Sequence, residues 1–193
     1  MNKDLFQGKL VRLKAIDPET MAEAFSRWSQ DSEYWRLMSS EPSRPISFLS
    51  TREWLEGELF KDPPGFIMFA IHTLEDDRLI GEIGFEDVEL PYGENFLEIG
   101  LGGRENWGKG YGSDAVRLIL RYAFTELNLQ RVSLEVSEYN PRAVHVYTKA
   151  GFIEEGRLRS SELRGGRRTD LIYMGILREE WERNQARETR SSA

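Results

Sequence analysis
The chain is 193 residues long, 39% hydrophobic and 31% charged, with a formal net charge of −7. These values describe a single globular domain and disfavour a general nucleic-acid binder. With no cysteine and only two histidines, His72 and His145, the chain excludes a disulfide scaffold, a cysteine nucleophile and a thiolate metal site. It has almost no material for a His-based zinc site or a Ser-His-Asp triad.

No apolar run approaches the roughly 20 residues that span a bilayer. Met1 to Asp4 carry no secretory pattern, so a cytoplasmic protein is expected, with no membrane partner. Charge is unevenly divided. Residues 1–100 carry 20 acidic and 10 basic side chains, and residues 101–193 carry 13 and 16, giving −10 and +3. Charge at this level can simply sit on solvated faces; the functional reading is a bipolar cleft that takes an anionic ligand on one side and a cationic one on the other.

In chain order, Lys9 to Ile16 alternates as a first strand. Asp17-Pro18 supplies an N-cap and a first helical position, followed by Met21, Ala24, Phe25 and Trp28 at helical spacing. Ser32 to Met38 reads as a short helix and Ser39 to Pro45 as a loop. Ser50 or Thr51 caps a helix reaching Phe60, with Trp54, Leu55, Leu59 and Phe60 inward, ended by Asp62-Pro63-Pro64-Gly65. Phe66 to Thr73, Arg78 to Leu90 and Asn95 to Gly102 follow as strands joined by turns too short for crossovers, hence an antiparallel meander. A long helix is expected over Lys109 to Asn128, then a strand over Arg131 to Glu138 and a helix over Pro141 to Ala150. Strands over Phe152 to Leu163 and Thr169 to Leu177 flank a hairpin turn at Gly165-Gly166. Residues 178–193 read as a highly charged, fraying terminal helix, a tail beyond the core. The whole is α/β in composition: one mixed, mostly antiparallel sheet of about seven strands with helices on both faces, forming one domain over residues 1–193 with its core at about 9–177.

The stretch Trp107-Gly108-Lys109-Gly110-Tyr111-Gly112 falls at a strand-to-helix junction. Three alternating glycines let backbone N–H groups converge, and the following helix adds its own unsatisfied amides and positive dipole end. This is either a glycine-rich turn or a cradle for a phosphate or pyrophosphate. The spacing fits neither a Walker A loop nor the dinucleotide fingerprint.

Glu98-Ile99-Gly100-Leu101 and Trp107 to Ala115, together with Asn140-Pro141-Arg142-Ala143-Val144, Tyr147, Lys149 and Gly151-Phe152, resemble the two cofactor motifs of the GCN5-related N-acetyltransferases (GNAT). They resemble most the branch of ribosomal-protein N-terminal and spermidine or diamine acetyltransferases, in which Trp is usual at the first loop position. The resemblance implies acetyl-CoA as co-substrate, no metal, and direct transfer to a cationic amine: a polyamine, another small-molecule amine or a protein N-terminus. It implies that backbone groups of Ile99 and Leu101, beside Gly100, pair with the pantetheine arm, with Asn140 bonding it. The amides from Gly108 to Gly112, with Trp107, Lys109 and Tyr111 in the same loop, would hold the pyrophosphate; Lys149 and Arg142 would reach CoA phosphates. Tyr147 matches a general acid that protonates the thiolate, against the plainer reading of a core-edge tyrosine.

Glu98 matches a general base. Its position mid-strand, on the face opposite Leu97, Ile99 and Leu101, makes a cleft its natural home, although a salt-bridged glutamate would also satisfy it. Glu82 and Glu135 are rival carboxylates, and ordered water could replace any of them. The alternative function is a non-catalytic acyl-CoA-binding regulatory module on the same fold; a succinyl donor would need a pocket arginine. A homodimer could use the Phe152 to Leu177 hairpin through Leu158, Leu163, Leu171, Ile172 and Met174, which core packing could equally claim.

Overall fold
Short turns and alternating apolar residues produce the meander. In the computed structural model, which describes residues 4–59, 61, 66–86 and 93–191, β1 (Val11–Lys14), β2 (Phe66–Thr73), β3 (Leu79–Glu86) and β4 (Glu94–Leu101) pair antiparallel in that order. The expected strand over Arg78 to Leu90 is present from Leu79 to Glu86; its remainder, like Phe60 and the Asp62–Gly65 stop, lies outside the described residues.

The helix α4 (Tyr111–Thr125) then crosses over to β5 (Arg131–Ser137), which runs parallel to β4. After α5 (Pro141–Ala150), β6 (Ile153–Arg164) and β7 (Arg167–Leu177) form a hairpin. Its two turn residues, Gly165 and Gly166, have φ of 54° and 77°, the doubly positive geometry that a two-residue turn demands. β7 inserts between β5 and β6, giving the seven-stranded order β1-β2-β3-β4-β5-β7-β6.

Alternation on β2 shows that both faces of the sheet are covered. Phe69 and Ile71 join the apolar cluster that includes Val116, Ile119 and Phe124 of α4 and Tyr147 of α5. Met68 and Ala70 join a second cluster built on α1 (Pro18–Trp28), α2 (Ser32–Met38) and α3 (Phe48–Leu59). Asp17 caps α1 as expected, accepting the Thr20 N–H at 2.8 Å.

Several expectations need correction. The first strand is shorter than Lys9–Ile16: Lys9 and Leu10 precede it and give their amides to a side chain described below. The third helix starts at Phe48, with Thr51 donating its N–H to Ser47. It buries Leu55 in the cluster with α1 but leaves Trp54 and Leu59 exposed. The long helix starts at Tyr111 because Gly110 is left-handed.

The C-terminal segment is helical as expected, but its start is docked on the core rather than frayed. It forms α6 (Arg178–Ser191), fastened by Trp181 against Phe124, ring centroids 5.2 Å apart. Within the hairpin, Ile172 and Met174 belong to the core while Leu158 and Leu163 are exposed on the edge strand. Among the described residues no helix is long and apolar enough to cross a membrane.

Candidate active site
The strands β4 and β5 pair over only three positions, Glu94 to Phe96 against Arg131 to Ser133, and then separate. Gly102 donates its N–H to Ile80 of β3 at 3.0 Å. By strand alternation the backbone groups of Leu97, Ile99 and Leu101 face the opposite way, into the opening. A cavity of about 1230 Å³ fills that opening. Trp107 marks its upper end, its indole N–H donating to the Leu101 carbonyl at 2.7 Å. The Leu101 amide and both backbone groups of Ile99 remain directed at the cavity, as an edge to which an extended arm can add. The Arg142 guanidinium lies over the Trp107 ring at 4.4 Å, tying α5 to the loop.

Gly108 and Gly110 have φ of 73° and 87°. A Cβ on Gly108 would meet nothing within 4 Å, so backbone conformation, not crowding, demands glycine there. Gly110 is the N-cap of α4 and offers no side-chain cap, so the first-turn amides point outward unclaimed, together with the positive end of the helix dipole.

Asp114 braces this loop from behind. It is 2% exposed, and its Oδ2 accepts the N–H groups of Lys9 (2.8 Å), Leu10 (2.7 Å) and Val11 (3.1 Å). Leu10 in turn approaches within 3.2 Å of where a Gly110 Cβ would stand. The N-terminal segment and the glycine loop therefore hold each other in place.

Groups from both faces of the sheet meet across the gap. Tyr147 arrives from the α5 side, 7% exposed. Burial, and then the negative charge of Glu98, push its phenol well above the ordinary value of 10, so it stays protonated through neutral pH. Glu98 lies on the α2 face with Gly100, whose missing Cβ leaves room for Met38 and for Glu82 from the next strand.

Glu82 is 4% exposed, with Oε2 unpartnered. Burial foremost, and then Glu98, raise its carboxyl well above 4.5. Beside it the buried Tyr34 hydroxyl also lacks a partner, and burial and the Glu82 carboxylate raise its phenol. Of the three carboxylates proposed from the sequence, Glu98 and Glu135 line the cavity and Glu82 lies behind its wall.

The far end of the cavity is closed by contacts that sequence reading missed. Arg164 of β6, 4% exposed, donates to the carbonyls of Arg36 (3.0 Å), Ser39 (2.6 Å) and Ser40 (3.3 Å), fastening the hairpin to the end of α2. It also donates to Glu162 Oε1 at 3.0 Å, while the buried Glu162 Oε2 has no partner. Glu162 and Arg164 both line the cavity. Their signal in the sequence was faint: two charged residues two apart, on one face of a strand whose other residues are mostly exposed.

Asn140 caps α5, accepting the Ala143 N–H at 3.2 Å, and donates to the Leu37 carbonyl at 3.4 Å; it lines the cavity, as do Trp107, Gly108, Gly110, Tyr111 and Gly112. Lys109 and Lys149 do not. Lys109 is exposed on the loop, and Lys149 lines a separate groove against α6. Among the described residues no three metal-ligating side chains converge.

Comparison with known proteins agrees with this geometry. A family model described as the acetyltransferase (GNAT) domain matches residues 11–153. The SPbeta prophage-derived uncharacterized N-acetyltransferase YokL of Bacillus subtilis (strain 168) is 34% identical over 179 residues, covering 92% of this chain and 95% of that one. A spermidine N(1)-acetyltransferase of Vibrio cholerae is 40% identical over 77 residues, which are 40% of this chain and 44% of that protein. The crystal structure of spermidine N-acetyltransferase from Vibrio cholerae in complex with CoA and spermine has the same fold, with a TM-score of 0.78 at 24% identity, covering 89% of this chain and 97% of that one.

Proposed function
The chain belongs to the GNAT family of N-acetyltransferases, and from that premise we propose that it transfers acetyl from acetyl-CoA directly to a cationic primary amine, a polyamine foremost. The observation that carries this reading is the composition of one continuous cavity. Backbone amides and a helix N-terminus lie at one end, and the carboxylates Glu98, Glu135 and Glu162 line the rest together with Arg36 and with Arg164, which pairs with Glu162. An anion belongs at the first and an ammonium in the second. Similarity to a spermidine acetyltransferase supports the polyamine among cationic amines.

In this reading the pyrophosphate of the co-substrate rests on the amides of Gly108 to Gly112. The pantetheine arm adds to the free edge of β4 at Ile99 and Leu101, which stops the thioester between Glu98 and Tyr147. Glu98 takes the proton of the incoming ammonium, and the amine attacks the acetyl carbonyl. The leaving thiolate then takes the Tyr147 proton. The two transfers are coupled: an anionic Glu98 holds the Tyr147 proton more tightly, and a Glu98 that has accepted a proton no longer does. Deprotonation of the acceptor therefore makes Tyr147 a better acid at the moment the thiolate forms. The unpartnered Glu162 Oε2 offers a further acceptor for the N–H groups of the amine substrate.

The test is thiol release across a panel of spermidine, spermine, diamines, aminoglycosides and short peptides. Polyamine turnover is expected, falling about 100-fold in Glu98→Gln with acetyl-CoA affinity unchanged. Binding of acetyl-CoA without thiol release on any amine would sink the catalytic reading and leave a binding module.

A further inference from the structure
Asn95 of β4 belongs to the wall of the main cavity and is 2% exposed. Neither its side-chain oxygen nor its side-chain nitrogen has a hydrogen-bond partner among the described residues. It shares a strand face with Leu97, Ile99 and Leu101. Leu97 on that face and Val132 opposite it are both core residues. An unpaired amide among such neighbours costs folding free energy that a leucine would not. Asn106, the other buried asparagine of this wall, has both side-chain atoms engaged, with the Gly102 carbonyl and with Arg78.

Its place in the strand gives this amide a use. The free edge of β4 runs from Leu101 through Ile99 to Leu97, and the gap closes where Phe96 and Asn95 pair with Ser133 and Val132. A pantetheine arm laid on that edge from the glycine end points its acyl group at this junction. Asn95 stands there on the α5 side of the sheet. An acyl chain that continues past its second carbon therefore runs toward the unpaired amide. The amide has donor N–H groups and an acceptor oxygen, and a hydroxyl can pair with either. It carries no charge, and Glu98, three positions along β4, would repel a carboxylate, so the matching acyl end is neutral.

We propose that Asn95 reads the acyl group of the donor beyond its first two carbons, so that the site takes a hydroxyacyl-CoA besides acetyl-CoA and rejects a plain aliphatic acyl group of the same length. The inference rests on the acyl transfer proposed above and adds a second class of donor. A hydroxyl pairs with the amide. A methyl or methylene in its place seals the amide from water and leaves it unpaired, which is the costly case. The transfer itself is the same with either donor. The amine nitrogen bonds to the thioester carbonyl carbon and gives its proton to Glu98. The carbon–sulfur bond breaks, and the sulfur keeps the electron pair and takes the Tyr147 proton. The hydroxyl is carried over unreacted.

Thiol release from acetyl-CoA, butyryl-CoA and 3-hydroxybutyryl-CoA tests this, with whichever amine turns over fastest with acetyl-CoA. The unsubstituted protein is expected to favour the hydroxylated four-carbon donor over the plain one by about tenfold or more in kcat/KM. Asn95→Leu, of similar size, and Asn95→Ala should each erase that ratio, which does not depend on the folded fraction. The melting temperature of Asn95→Leu should rise, because an unpaired amide is removed. Equal use of the two four-carbon donors would overturn the proposal while leaving acetyl transfer intact. So would a ratio that survives both substitutions, or use of acetyl-CoA alone, which would end the acyl site at two carbons. Failure to release thiol from acetyl-CoA on any amine would instead remove the function on which the proposal depends.

Discussion

The two ends of the main cavity are built in different ways. The glycine end is made of consecutive residues, Trp107 to Gly112, and presents backbone amides held by conformation, with Asp114 fixing the loop through three further backbone N–H groups. The acid end gathers side chains from α2, β4, β5 and β6, and is closed by Arg164 bonded to carbonyls more than 120 positions away in sequence. Backbone sites of the first kind tolerate change at most positions but not at the left-handed glycines. Side-chain sites of the second kind can be retuned one residue at a time. A family that keeps one co-substrate and varies its acceptor would be served by such a division.

The largest effect that would break this contrast belongs to the backbone end. Gly110→Asp forces a side chain onto φ of 87°, and its carboxylate would repel the anion proposed for these amides. Acetyl-CoA affinity should fall by at least ~100-fold in calorimetry. Retained micromolar binding would mean that the loop is only a turn.

Next comes Tyr147→Phe, which removes one hydroxyl and leaves the ring packed against Phe152. Turnover should fall by roughly 100-fold or more, with acetyl-CoA affinity moving less than about threefold. Equal losses in both would assign Tyr147 to binding.

The smallest effect concerns stability and sharpens the electrostatics of the acid end. The Glu82 carboxyl is raised above 4.5 by burial and by Glu98. The folded protein therefore keeps a proton that the unfolded chain releases. That contribution to stability is complete below about pH 4 and is lost as pH rises through the raised folded value. Glu82→Gln carries no such proton. Its melting temperature should match that of the unsubstituted protein at pH 4 and gain on it toward pH 8, at up to about 1.4 kcal/mol per pH unit. Parallel melting curves across that range would show Glu82 to be charged in the fold.

Much of the molecule was legible before any coordinates. The meander, the crossover helix, the Gly165-Gly166 turn and the Asp17 cap are local: each depends on residues within a few positions of one another, where periodicity and turn chemistry act directly. The misreadings were non-local. Trp54 and Leu59 have the apolar character of a buried face, yet α3 turns Leu55 to the core and leaves them exposed. Residues 178–191 read as a fraying helix, and Trp181 against Phe124 seats that helix on the core.

The amino-acid sequence by itself determined the glycine loop, the Asn140 cap and the position of Glu98 mid-strand, because spacing along one strand or one helix start dictates them. Only the tertiary structure decided that β4 and β5 part after three paired positions. That divergence opens the free edge and lets Glu98 and Tyr147, from opposite faces of the sheet, sense one another. It also decided that Glu162 and Arg164 close the acid end and that α6 walls the separate groove that Lys149 lines. These depend on where distant segments of chain meet, and no periodicity within a segment encodes which partner it will find.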